Sequence, residues 1–129
     1  MTTQTKENLK LVHFEHREWL VRLNFFKSEL EIFEKMLGEV AVKNNATDIR
    51  SKIEHFQNQF LLQRHRLLEV KRDVNKSESA IANQLMDNMA AWDRQTVKQE
   101  GDLRSAINTF DYLFTELKKE FKLFLEKVY

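Results

Sequence analysis

Residues 9–40 read LKLVHFEHREWLVRLNFFKSELEIFEKMLGEV. Apolar residues recur in this segment at steps that alternate between three and four, which places them on one side of a helix. The series is Leu9, Val12, His16, Trp19, Leu23, Phe26, Leu30, Phe33, Leu37 and Val40. Flanking residues such as Leu20 and Ile32 widen the stripe, as is typical of a helix in a bundle core. We therefore predict a first helix at about residues 5–43.

The same alternation continues along the rest of the chain and predicts further helices at about residues 47–75, 77–99 and 102–128. The expected breaks are Asn44–Thr47, the capping-type residues Asn75–Glu78, and Gly101 followed by Asp102. Amphipathic helices joined by short connections predict an all-α fold, an antiparallel up-down-up-down four-helix bundle in a single domain.

An alternative remains open at Asn75–Glu78, because nothing there forbids a helix and the apolar stripe runs on through Ser77 to Ile81. A continuous helix from about residue 48 to residue 98 would be about 75 Å long. The chain would then be a protomer of three long helices that completes its bundle by dimerisation.

The composition excludes several classes of site. The chain has 129 residues with no Cys, no Pro and only two Gly. Thiolate metal sites, iron–sulfur clusters, cysteine nucleophiles and glycine-rich phosphate loops are therefore excluded. No catalytic motif is present, so we expect a non-enzymatic protein without a cofactor.

Charge and hydropathy restrict the expected partners. The net charge of +1 argues against nucleic-acid binding, although Arg64-His65-Arg66 and Lys71-Arg72 form a local basic cluster. No apolar run approaches the length of a membrane span, and the first residues lack the apolar core of a signal peptide. We expect a soluble, cytoplasmic protein that binds a protein partner or associates with itself.

Histidines raise the question of a metal site. His13 and His16 lie three residues apart on the first helix, and in the predicted bundle Asp73, Glu78 and Glu126 fall at a similar depth. Two imidazoles with carboxylates could bind a divalent ion. The plainer interpretation is that His16 lies at the edge of the core and is hydrogen-bonded to a carboxylate. The ferritin-like and hemerythrin-like patterns both fail, since no Glu stands three residues before a His and the last two predicted helices lack His.

Other polar and aromatic positions complete the predictions. His16 and Gln63 interrupt apolar stripes, so each is expected to be a buried polar residue that sets helix register. Trp92, among small residues in the weakest stripe, is the candidate anchor for a partner. The main functional hypothesis is a helical interaction or scaffold module. A metal-binding bundle and a binder of small apolar ligands, with a pocket among the Phe residues, are the alternatives.

Overall fold

The computed structural model describes the backbone of residues 3–87 and 94–129 and the side chains of residues 7–83 and 96–129. These ranges contain three α-helices and no strand. The helices are α1 (Thr3–Lys43), α2 (Thr47–Asp87) and α3 (Arg94–Val128). The all-α prediction is confirmed. The four-helix bundle is wrong, because only three helices are found in the described ranges.

The expected break at residues 75–78 does not occur, because α2 runs through it without interruption. The capping-type residues at 75–78 favour a helix start only where the preceding helix has ended. No Pro or Gly ends that helix here. Val74 and Ile81 are both buried on the same stripe, so their packing stabilises a continuous helix across this segment. The open alternative of continuity through Ser77 is therefore correct.

Gly101 does not end a helix either, since it lies within α3. A glycine in a helix interior costs about 0.5–1 kcal/mol relative to alanine, which burial on either side can offset. Glu100, directly before it, and Ile107, six residues after it, are both buried. The predicted helix 77–99 is thus divided between α2 and α3, and the residues between them lie outside the described part.

The residues of the predicted apolar stripes form the core. Buried members come from all three helices, and Phe side chains dominate the centre. Phe121 contacts Phe33, Phe56 and Phe60, with ring centroids 5.0–5.5 Å apart. Aromatic pairs at this spacing add to the free energy of area burial. A smaller apolar cluster of Leu9, Val12 and Ile81 lies near the start of α1.

The helices run up, down and up, so α1 and α3 are parallel. Three heptad-spaced ion pairs among the described side chains join these two helices, and we call them the charge ladder. Its members are Glu15–Arg104, Arg22–Asp111 and Glu29–Lys118. The ladder lies on the outer edge of the α1–α3 contact, with the Phe-rich core beneath it.

Candidate functional site

A polar cluster interrupts the apolar core near the start of α1. His16 is 0% exposed and has both ring nitrogens hydrogen-bonded to carboxylates. Nδ1 lies 2.6 Å from Glu78 Oε2 on α2, and Nε2 lies 2.6 Å from Glu100 Oε1 on α3. Because both partners are carboxylates, both nitrogens donate when His16 is an imidazolium. His16 therefore joins all three helices by charge-assisted hydrogen bonds.

Two further side chains extend what we call the His16 cluster. The Ser77 hydroxyl donates to Glu100 Oε1 over 2.9 Å, and His13 Nδ1 contacts Glu78 Oε1. His13 is 45% exposed and Glu78 is 20% exposed, whereas Glu100 is almost fully buried. The His16 cluster is thus buried at Glu100 and accessible to solvent at His13.

Heptad spacing explains why these side chains meet. His16 occupies a core position of α1, Ser77 follows Val74 on the core stripe of α2, and Glu100 precedes Leu103 and Ile107 on that of α3. All three positions point toward the bundle axis. They lie at the same depth because α2 is antiparallel to both other helices.

The pKa of His16 is raised above its ordinary value of 6.5. Burial is the largest single influence and lowers this pKa, because it disfavours the charged ring. The hydrogen bonds and negative charges of Glu100 and Glu78 together outweigh burial. The cluster therefore holds a proton on His16 at a pH at which an isolated histidine would lose it.

The predicted metal-site residues separate into two groups. His13, His16 and Glu78 come together, but Asp73 lies in a groove with Lys76 and Asp102 and forms no hydrogen bond or ion pair with those three among the described side chains. Glu126 is exposed at the far end of α3, about 39 Å along the helix from Glu100. The predicted depth of Glu126 assumed that the last helix runs antiparallel to the first, whereas α3 is parallel to α1.

Sequence reasoning missed Glu100 and Ser77. The signal for Glu100 was its position three residues before Leu103, which continues the core stripe backwards. Because a turn was predicted at Gly101, the predicted stripe of the last helix began only after that residue. The four-helix prediction placed Ser77 in a connection, and only the continuous-helix alternative put it on the core stripe.

Gln63 is 3% exposed, and its Oε1 accepts no hydrogen bond from any described group. An unsatisfied buried acceptor costs about 1–3 kcal/mol. Trp92, the predicted partner anchor, lies outside the described residues. Arg64 of the basic cluster pairs with Glu34, and Lys71 donates to Asn24 over 3.2 Å, so two cations of that cluster are engaged within the molecule.

A second apolar row lies on α1, on the side opposite the core. We call it the outer face of α1. Its members are Leu11, Phe14, Val21, Phe25 and Ile32, each between 56% and 71% exposed. The prediction that Ile32 widens the core stripe is therefore wrong. The steps between them fit the same alternation of three and four when Glu18 and Ser28 are counted as polar members. Thus α1 has two apolar faces, of which α2 and α3 cover one.

Comparison with protein-family models, with curated proteins and with solved structures finds no match. No helix among the described residues is long and apolar enough to cross a membrane. The features of the described residues that bear on function are the His16 cluster and the outer face of α1.

Proposed function

We propose that this protein is a non-enzymatic helical interaction module that forms a dimer through the outer face of α1. The observation that supports the proposal is the exposed row from Leu11 to Ile32, which extends over about 32 Å of helix. In a monomer this second apolar face stays exposed to water, because only the first face of α1 packs into the core. Burial of such a face removes its apolar surface from water.

The size of the outer face suits a dimer. Five large apolar side chains at these exposures present roughly 500 Å² of apolar surface, near the upper end for a patch on a monomer. Two such faces contribute about 1,000 Å², and flanking polar side chains add the rest of the roughly 1,200–2,000 Å² that stable interfaces bury. A second copy of the chain is therefore a sufficient partner.

The order of residues along the outer face is self-complementary in an antiparallel pair. When Val21 packs on the partner's Phe25, the same register sets Phe14 against the partner's Ile32. Its polar members, Glu18 and Ser28, then oppose each other as well. A two-fold symmetric interface requires this kind of matching, because every contact occurs twice.

Charges beside the outer face favour the same orientation. Along its edge the residues change from basic to acidic, with Arg17 near the start and Glu31 near the end. Neither makes an ion pair with a described residue. In the antiparallel pair Arg17 approaches the partner's Glu31, so opposite charges meet on both sides of the two-fold axis.

The test is the solution mass of the full chain, measured by light scattering and sedimentation over a concentration series. We expect the wild type to have twice the mass of one chain. Phe25→Glu should yield a monomer with unchanged helical circular dichroism, because it buries a charge in the centre of the interface. Leu123→Glu is the matched control, since Leu123 is 60% exposed on α3, and it should remain dimeric.

Orientation is tested by cross-linking, because the chain has no Cys. Asn24→Cys lies near the proposed two-fold axis and should form an intermolecular disulfide under mild oxidation. Ile32→Cys should not, since the two copies lie about 27 Å apart along an antiparallel pair. A wild type that stays monomeric at every concentration, or a Leu123→Glu variant that dissociates as Phe25→Glu does, would overturn the proposal.

The proposal includes a cytoplasmic location and no catalytic activity. The absence of Cys agrees with a reducing compartment. Within the described residues, the polar side chains that converge are those of the His16 cluster, which lacks an activated nucleophile. Fluorescent tagging of the full chain in its native cell tests the location.

A further inference from the structure

We propose that His13, His16 and Glu78 form a binding site for a divalent transition-metal ion, with Glu100 as the residue that positions His16. The site does not require the dimer, because the outer face of α1 does not include these side chains, although His13 borders Phe14 and Val21 of that face in one groove. It rests on the arrangement of donor atoms in the His16 cluster.

Two imidazole nitrogens meet one carboxylate. Nδ1 of His13 contacts Glu78 Oε1, and Nδ1 of His16 lies 2.6 Å from Glu78 Oε2. The three-residue spacing on α1 places both rings on neighbouring turns, and α2 supplies the carboxylate between them. Two His and one carboxylate that leave other positions open are the ligand set of many divalent iron sites, and Mn²⁺, Co²⁺ and Zn²⁺ accept the same donors.

The far side of His16 has the partner that a metal-binding histidine requires. Its Nε2–H donates to Glu100 Oε1 over 2.6 Å, which leaves Nδ1 directed at Glu78. Carboxylates that accept from the second ring nitrogen orient metal-ligating histidines and increase their basicity. The Ser77 hydroxyl donates a hydrogen bond to the same oxygen of Glu100 and so fixes its position.

A second observation indicates that the cluster is short of positive charge. Glu100 Oε2 is buried and accepts no hydrogen bond from any described group. A buried carboxylate oxygen without a partner is costly, and a cation on the opposite edge of the His16 ring would reduce that cost. The proton on His16 offsets one of the two glutamate charges, whereas a divalent ion offsets both.

Protons occupy the site in the arrangement that the structure shows. The donor atoms contact each other directly, and no group of three His, Asp or Glu among the described residues is arranged so that it could hold an ion as it stands. An ion therefore enters by replacing protons and separating Glu78 from the rings. The protons between Glu78 and the Nδ1 atoms of His13 and His16 leave to solvent, each ring then carries its one proton on Nε2, and that of His16 is still donated to Glu100.

The accessible end of the cluster provides the entry route. His13 is 45% exposed and Glu78 is 20% exposed, so both can move apart without opening the core. The positions left open on the ion face solvent and accept water or a small anionic ligand.

The experiment is titration of the metal-free full chain with Co²⁺, Mn²⁺, Zn²⁺ and, without oxygen, Fe²⁺. We expect one ion per chain, visible absorption from bound Co²⁺, and a Tm increase of about 8–10 °C at a hundredfold excess over Kd. Glu78→Gln and His13→Gln should each abolish the Co²⁺ absorption. His13→Gln alters the accessible end only, so its fold should be retained, as circular dichroism will verify.

His55→Gln is the matched control. His55 also pairs with a glutamate, Glu120, at 2.8 Å, but this exposed pair has no second histidine. It should bind the ion as the wild type does. The proposal is overturned if none of the four ions gives absorption or a Tm shift. It is equally overturned if binding persists in both His13→Gln and Glu78→Gln.

Discussion

Arg22 on α1 and Asp111 on α3 form the middle ion pair of the charge ladder, and its polarity is opposite to that of the pairs on either side. Glu15 pairs with Arg104 one heptad earlier, with hydrogen bonds of 3.0 and 2.7 Å. A slip of one heptad between α1 and α3 in either direction would set Arg22 against another cation. The alternation of sign therefore selects one register for two parallel helices whose Phe-rich stripes alone would tolerate several.

Reversal of the central pair tests this role. Arg22→Glu should lower the free energy of unfolding by about 1 kcal/mol, because two acids then face each other at a half-exposed site. Adding Asp111→Arg should restore most of the loss. Urea unfolding of the two single variants and the double variant measures the coupling. Lys52→Glu, at an exposed position of α2 with no ion-pair partner among the described residues, should change stability by less than about 0.5 kcal/mol.

Stability should depend on pH through His16. Its pKa is raised in the folded chain above 6.5, so the native state binds this proton more tightly than the unfolded state does. The stabilisation is fully present below about pH 6.5 and is lost as the pH rises through the folded pKa. Urea unfolding in metal-free buffer, measured at intervals up to about pH 9, should show this decline.

Removal of one acceptor should reduce the same pH dependence. Glu100→Gln withdraws a negative charge from His16, so the pKa of His16 should fall toward its ordinary value. The slope of stability against pH should become shallower in this variant. His55→Gln, which alters an exposed histidine, should keep the wild-type slope. A wild-type slope that survives in Glu100→Gln would contradict the assignment to the His16 cluster.

Heptad spacing predicted the buried faces but not the helix ends. Nearly every residue of the predicted stripes on α1 and α3 is buried or half-buried, because burial follows periodicity over many turns. The ends at Asn75–Glu78 and Gly101 were inferred from capping chemistry worth about 1 kcal/mol, which the packing of Val74 and Ile107 outweighs.

The candidate site was predictable in part for the same reason. His13, His16 and Glu78 lie on α1 and α2, whose connection at residues 44–46 was correctly located. Glu100 depended on the direction of the last helix, and a wrong helix count reverses that direction. The turn wrongly predicted at Gly101 therefore left Glu100 out of the predicted site and included Glu126 in it.

Gln63 should be replaceable with a gain in stability. Its buried Oε1 has no hydrogen-bond donor among the described groups, and methionine has a similar length without the amide. Gln63→Met should raise the free energy of unfolding by about 1–2 kcal/mol. Gln57→Met, one and a half turns earlier and exposed, should change it by less than about 0.5 kcal/mol. A loss of stability in Gln63→Met would indicate that the amide sets the packing of the core.

Gly101→Ala distinguishes a continuous α3 from a chain that turns at residue 101. A Cβ at Gly101 would meet no atom within 4 Å, and the backbone there is helical. Alanine should therefore stabilise the protein by about 0.5–1 kcal/mol, chiefly by restricting the unfolded chain. Gly38→Ala provides a reference, because Gly38 lies within α1 with equally open space around it. Equal gains from both variants in urea unfolding would support a helix at both sites. A gain at Gly38 with a loss at Gly101 would indicate a turn that needs glycine, which would detach Glu100 from its place on α3 beside His16.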